Sequence, residues 1–142
     1  VGAHRVGIRL SPYGVFNSTG AYPDVEAQYL ALTQELSKLG LLYLHLLDHS
    51  AMGAPPVPAE FKLHVREAFK GLFILAGGFD RAGAQSALKA GQADLIAFAR
   101  PFLANADLVK RMQTDAPLNA VDMATFYTPG PKGYTDYPAL AA

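Results

Sequence analysis

Four times along this chain a short apolar run gives way to a loop and then to an amphipathic helical pattern, and this alternation limits the folds open to it more than any other feature. Strand, loop and helix in repetition are the signature of βα units with parallel strands. The first strand is expected from Arg5 to Leu10. A loop rich in turn residues (Pro12, Gly14, Asn17, Ser18, Gly20) occupies Ser11 to Tyr22. Val25, Tyr29, Leu32, Leu36 and Leu39 recur at helical spacing, so a helix is expected from Val25 to Lys38, stopped by Gly40. The second strand, Leu41 to Leu47, is nearly all apolar, as expected of a parallel strand covered on both faces. A loop from Asp48 to Pro58 leads into a helix at Ala59 to Phe69. The third strand, Leu72 to Ala76, ends on Gly77-Gly78, and Asp80 stands where an N-cap belongs before a helix from Arg81 to Ala90, closed by Gly91. The fourth strand, Asp94 to Ala99, ends on Arg100 and is followed by a short helix from Asn105 to Met112. The segment Phe126 to Pro138 reads as irregular.

No composition shift divides these units, and 142 residues with 51% hydrophobic content suit one modest domain with a substantial core. The fold class is therefore α/β, and four βα units are half of a (β/α)8 barrel. An isolated half exposes two strand edges and one face of its barrel core. The chain is expected to close with a complementary half, on another polypeptide or another copy; the alternative is an open sheet. It opens on Val1-Gly2-Ala3-His4 with no initiator Met, as a processed or engineered piece would.

Charge and cysteine content exclude several classes of function. Twelve basic residues balance twelve acidic ones, so no net field draws the chain to nucleic acid or to an anionic membrane. Zero cysteines exclude disulfides, thiolate nucleophiles and cysteine-based metal or iron–sulfur sites, and no metal site is expected. Without an 18-residue apolar run or a secretory signal pattern, a soluble, cytoplasmic protein is the expectation.

In βα barrels, function sits on the loops after the strands, and phosphate is commonly held after the seventh and eighth strands. Gly77-Gly78 would let backbone N–H groups approach an anion, and Arg100 offers a planar fork of donors at a strand mouth. Each has a plainer reading, a simple turn and a surface arginine, but together they suggest a phosphate cradle. Arg9 lies within an apolar strand, where it is costly unless paired; it is either an internal ion-pair partner or a fixed cation for a developing negative charge. Of the four histidines, His45 is central in an apolar strand and reads as a satisfied core residue. His49, beside Asp48 at the head of a Pro-rich loop, reads as solvated or capping. His4 and His64 carry no pattern of their own.

Four separated motifs resemble the old yellow enzyme family of FMN-dependent ene-reductases, in the order expected of its C-terminal half. They are Arg5-Val6-Gly7-Ile8-Arg9-Leu10-Ser11-Pro12-Tyr13-Gly14-Val15-Phe16-Asn17; Ala76-Gly77-Gly78-Phe79; Phe98-Ala99-Arg100-Pro101-Phe102-Leu103-Ala104-Asn105-Ala106-Asp107-Leu108-Val109; and Phe126-Tyr127 with Gly133-Tyr134-Thr135-Asp136-Tyr137-Pro138. The resemblance implies that residues 1–142 are strands five to eight of a single barrel domain. It implies that Arg9 contacts the N1 and C2-carbonyl edge of the flavin, where a fixed cation favours the anionic reduced form. Gly77, Gly78, Ala99 and Arg100 would hold the FMN phosphate, Phe126 and Tyr127 would flank the dimethylbenzene side, and Asn17 and Tyr127 would reach the substrate. Ala99 departs from the family's usual glycine, and its methyl is tolerable only at negative φ.

In that family, NADPH or NADH reduces FMN, which then reduces the C=C bond of an activated alkene such as an α,β-unsaturated carbonyl or a nitroalkene. The proton-donor tyrosine and the His/Asn pair that polarises the substrate match nothing in this chain. They belong to the N-terminal half, so no catalytic residue is expected here. Paired with that half, the chain would be part of an oxidoreductase. Alone, it would be a non-catalytic scaffold binding at most the phosphate end of a flavin. Some other phosphate-binding barrel fragment would account for Gly77, Gly78 and Arg100 but not for Arg9 or Phe126-Tyr127.

Overall fold

Strands alternate in burial along their length, which fixes how the sheet sits. The structure is a computed structural model and describes residues 1–141. Four parallel strands, β1 (Gly7–Leu10), β2 (Tyr43–Leu47), β3 (Leu72–Ala76) and β4 (Leu95–Ala97), lie side by side in chain order. Ile8, Leu44 and Phe73 share one register row, and Leu10, Leu46, Leu75 and Ile96 share another on the same face. Helices α1 (Val25–Lys38) and α2 (Ala59–Ala68) cover that face; α3 (Arg81–Lys89) connects β3 to β4. Leu36, Phe61, Val65 and Phe69 join the strand residues in one core, in which Leu44 and Phe73 are wholly buried. Burying each such side chain contributes roughly 1.5–3 kcal/mol.

The helix boundaries follow local chemistry. Glu26 in the first turn of α1 and Lys38 in the last complement the helix dipole. The Asp80 carboxylate accepts the Gly83 N–H at 2.7 Å, the N-cap expected from sequence.

The opposite sheet face carries Gly7 and Arg9 from β1, Tyr43, His45 and Leu47 from β2, Leu72, Ile74 and Ala76 from β3, and Leu95 and Ala97 from β4. Leu72 is 43% and Leu95 49% exposed. The strands are thus covered on one face and not on both, the condition expected of half a barrel. The architecture is α/β, a parallel sheet with half the strands of a (β/α)8 barrel. Among the described residues, no helix is long and apolar enough to cross a membrane.

Several boundaries differ from the sequence reading. Ala3–Arg5 forms a 3-10 turn, so β1 begins only at Gly7. β2 begins at Tyr43, and β4 spans Leu95–Ala97 because the Asp94 carboxylate is taken up by the Phe73 N–H (2.7 Å) and Arg66 (2.7 Å). The helix expected from Asn105 to Met112 is α5 (Leu108–Thr114), and an unexpected short helix, α4 (Arg100–Ala104), precedes it. Pro101 opens α4 where its missing N–H costs nothing, and Asn105 ends it in extended conformation.

The chain divides into two compact units, Val1–Ala97 and Phe98–Ala142. The first holds the sheet. The second holds α4, α5, a 3-10 turn at Met123–Thr125 and the irregular segment expected after it.

Candidate functional site

At the carboxyl end of β1 the chain enters a loop pinned at both ends. The Tyr13 hydroxyl donates to Glu26 Oε1 (2.7 Å), which pushes the phenol up to about 12. Thr19 Oγ1 donates to the Phe16 (2.6 Å) and Gly14 (2.9 Å) carbonyls. Between these anchors Asn17 and Ser18 take left-handed backbone, φ +56° and +62°, with Asn17 exposed at the tip. Phe16 packs edge-on against His49, ring centroids 5.1 Å apart.

Arg9 stands on the open sheet face, exposed, with no carboxylate partner among the described residues; the internal ion pair considered from sequence is not formed. Its register partner is His45, whose Nε2 is buried without a hydrogen-bond partner among the described residues. His45 is therefore not the satisfied core histidine expected. Burial and then the Arg9 charge push its pKa down from 6.5, so the ring is neutral at pH 7. His49 stands at the N-cap of a 3-10 turn, Ser50–Met52, and is half-buried, but its side chain makes no capping hydrogen bond and its Nδ1 is buried and unpartnered among the described residues. Burial first, then Arg9, lower its pKa against an opposing pull from Asp48.

Asp48 organises the loop after β2. Its carboxylate accepts the Ser50 N–H (2.9 Å), the Val57 N–H (3.3 Å) and Lys62 Nζ (2.6 Å). Burial alone would raise its pKa, but these bonds outweigh it and hold the group below 3.8. Gly77, immediately after β3, lies against the Asp48 backbone, where a Cβ would collide with the Asp48 carbonyl oxygen. With φ +120° at Gly77 and +67° at Gly78, the turn requires glycines. The pair thus has a packing reason as well as an open outer surface, with Ala51 Cβ at 3.3 Å the nearest atom to a Cβ built on Gly78. The start of α3 is a poorer anion site than the sequence suggests, because the Asp80 carboxylate already occupies it.

Within the second unit, Ala99 is the N-cap of α4 at φ −95°, a conformation that accepts its methyl. Arg100 is the first residue of α4 and half-buried, with no carboxylate partner among the described residues. Phe126 is buried, and its ring meets that of Tyr127 edge-on at 6.3 Å. The Tyr134 hydroxyl donates to the Phe126 carbonyl. Tyr127 is 94% exposed. Among the described residues no cluster of His, Asp or Glu could hold a metal ion.

Residues 1–119 match the NADH:flavin oxidoreductase / NADH oxidase family, whose cofactor is FMN. The chain belongs to that family. As a family member, and one of the old yellow enzyme type, it is 46% identical to 12-oxophytodienoate reductase 2 of Arabidopsis thaliana over 143 residues. That alignment covers 99% of this chain and 38% of the relative. Against a 12-oxophytodienoate reductase-like protein of Solanum lycopersicum the identity is 42%, over 99% of this chain and 37% of the other. Among solved structures, morphinone reductase superposes with a TM-score of 0.89 at 42% identity, covering 98% of this chain and 37% of that one. The same enzyme in complex with tetrahydroNAD gives 0.85, covering 99% and 37%. The chain thus spans well under half the length of these family members.

The sequence reading missed the residues that hold the second unit in shape. Arg111, 4% exposed, donates to Asp107 Oδ1 (2.7 Å) and to the carbonyls of Pro117 (2.6 Å) and Pro138 (2.7 Å). Asn105, wholly buried, donates to the Pro101 carbonyl (2.9 Å) and accepts the Asn119 N–H (2.8 Å). The only sequence signal was an i,i+4 Asp/Arg spacing at Asp107 and Arg111, which usually marks a solvated helix face.

Proposed function

We propose that this chain is the C-terminal half, strands five to eight, of a single-domain cytoplasmic flavoprotein that takes reducing equivalents from NADPH or NADH and reduces the C=C bond of activated alkenes. The observation that carries the reading is Arg9: an exposed cation on the open sheet face, with no carboxylate to neutralise it among the described residues, is available to an anionic ligand. The residues present fit FMN. Gly77 and Gly78 offer N–H groups unobstructed by side chains, Arg100 a free fork of donors, and Ala99 a backbone that its methyl does not strain.

FMN, when bound, would supply the two-electron hydride chemistry between the nicotinamide and the alkene. Arg9 holds positive charge at the ring edge where reduction places negative charge. Gly77, Gly78, Ala99 and Arg100 anchor the phosphate, Phe126 and Tyr127 flank the dimethylbenzene side, and Asn17 and Tyr127 face the substrate. The proton donor and the groups that polarise the substrate would come from the N-terminal half of the barrel. That half would also cover Leu72, Ile74 and Leu95.

Completed by that half, the chain should give a yellow protein that anaerobic NADPH bleaches. A colourless protein, or one left unbleached, supports the non-catalytic scaffold instead. Arg100→Ala should weaken FMN retention about 10- to 100-fold, the loss of about 1.5–3 kcal/mol from a charged hydrogen bond. Unchanged FMN affinity removes Arg100 from the phosphate site.

A further inference from the structure

His45 poses a question that the family assignment leaves unanswered. A histidine on a β-strand of an FMN protein need not do anything, yet this one carries a buried ring nitrogen with no partner among the described residues. It sits beside Arg9 in the β1–β2 register, and neighbouring strands place such side chains on one face about 4.8 Å apart. Its other neighbour in the row is Ile74, which is apolar. On its own strand Tyr43 turns its ring over Gly7, and Leu47 is apolar. The nearby Asp48 carboxylate is taken up by Ser50, Val57 and Lys62, and His49 turns its ring to Phe16.

Arg9 is thus the group in this row with donors to spare. A guanidinium has five N–H donors and no acceptor, whereas a neutral imidazole protonated on Nδ1 presents an acceptor at Nε2. The two are complementary. Burial and the Arg9 charge both keep His45 in that neutral, acceptor-bearing state.

We propose that His45 is a positioning residue: in the completed, flavin-bound protein its Nε2, unbonded in this structure, accepts a hydrogen bond from the Arg9 guanidinium and so fixes the cation at the flavin edge. This rests on the reading of Arg9 as the flavin-facing cation. Without the bond, the long arginine side chain samples many rotamers, and its charge is spread over positions that serve the reduced ring less well.

The test uses the complete flavoprotein, this chain with its N-terminal half, and three variants: Arg9→Ala, His45→Leu and His45→Gln. His45→Leu should weaken binding of reduced FMN relative to oxidised FMN about tenfold, a fall of about 30 mV in the two-electron potential. His45→Gln, which keeps an acceptor, should restore most of it. In the Arg9→Ala background His45→Leu should add nothing, since the coupled effects are not additive. Histidine NMR titration of the otherwise native protein gives a readout independent of turnover and of the Leu variant's folding: Arg9→Ala should raise the pKa of His45. If Arg9→Ala lowers the potential but His45→Leu does not, and the His45 titration is unmoved, His45 only fills space and the proposal falls. If Arg9→Ala itself leaves the potential unchanged, the flavin role of Arg9 fails first, a distinguishable result.

Discussion

In the sheet unit, Val1–Ala97, order comes from apolar side chains: Leu44, Leu46, Phe61, Val65, Phe69 and Phe73 meet between strands and helices. In the second unit, Phe98–Ala142, helices of five and seven residues are too short to be stable by propensity. There a buried arginine and two asparagines hold the chain by its own carbonyls and amides. The Leu140 N–H reaches Asp107 Oδ2 at 2.8 Å, and Asn119 Nδ2 donates to the Ala104 and Pro138 carbonyls, both at 2.8 Å. The contrast shows how one chain can fix regular structure by burial and irregular structure by hydrogen bonds to named backbone atoms.

The strongest attack on this contrast is Phe73→Ala, which should cost about 3–5 kcal/mol in chemical denaturation, as large-to-small changes in a closed core do. A cost near 1 kcal/mol means that apolar packing is not what holds the sheet unit. Next comes Arg111→Leu, which strips the Pro117 and Pro138 carbonyls of a charged donor. A local loss of about 3 kcal/mol is expected, read as faster hydrogen exchange and proteolysis between residues 117 and 140 while β2 and β3 stay protected. If strand protection falls equally, the two units do not differ as described.

The smallest effect sharpens the comparison through pH. All four histidines lie in the sheet unit. His45 and His49 have folded pKa values below 6.5, so the unfolded chain binds protons more readily, and the stability they contribute at neutral pH is lost as pH falls from about 6.5 through the folded values. Asp48 in the first unit and Asp107 in the second are held below 3.8. Asp107 is held there by the Leu140 N–H, then by Arg111; the contribution of both carboxylates is lost only as pH falls below that value. Mild acid, pH 6 to 5, should therefore loosen amides of the sheet unit alone in hydrogen exchange. Equal loosening of residues 98–141 contradicts this.

The same contrast explains what the sequence revealed. Periodic apolar residues announced β2, β3, α1 and α2 to within a residue or two, because burial against a partner imposes a period. Asp80 was legible as a cap because its bond spans only to Gly83. Arg111 was not, because its partners Pro117 and Pro138 are ordinary residues that offer only their backbone. Helix α4, ahead of Asn105, was hidden as well, since five residues are too few to show an apolar period. Of the candidate site, Arg9, the Gly77-Gly78 turn and Arg100 stood out by residue type, while the unpartnered nitrogens of His45 and His49 emerged only from their surroundings.

The outer strands of the sheet are short: β1 has four residues and β4 three. A free strand edge is a template on which other chains can polymerise, and its danger grows with the number of unpaired backbone groups in a row. With so few, a stray strand gains little purchase at either end. The greater hazard on this sheet is therefore not fibril growth from its edges but adhesion through its exposed greasy side chains, Leu72 and Leu95, a weakness that a mild detergent can mask.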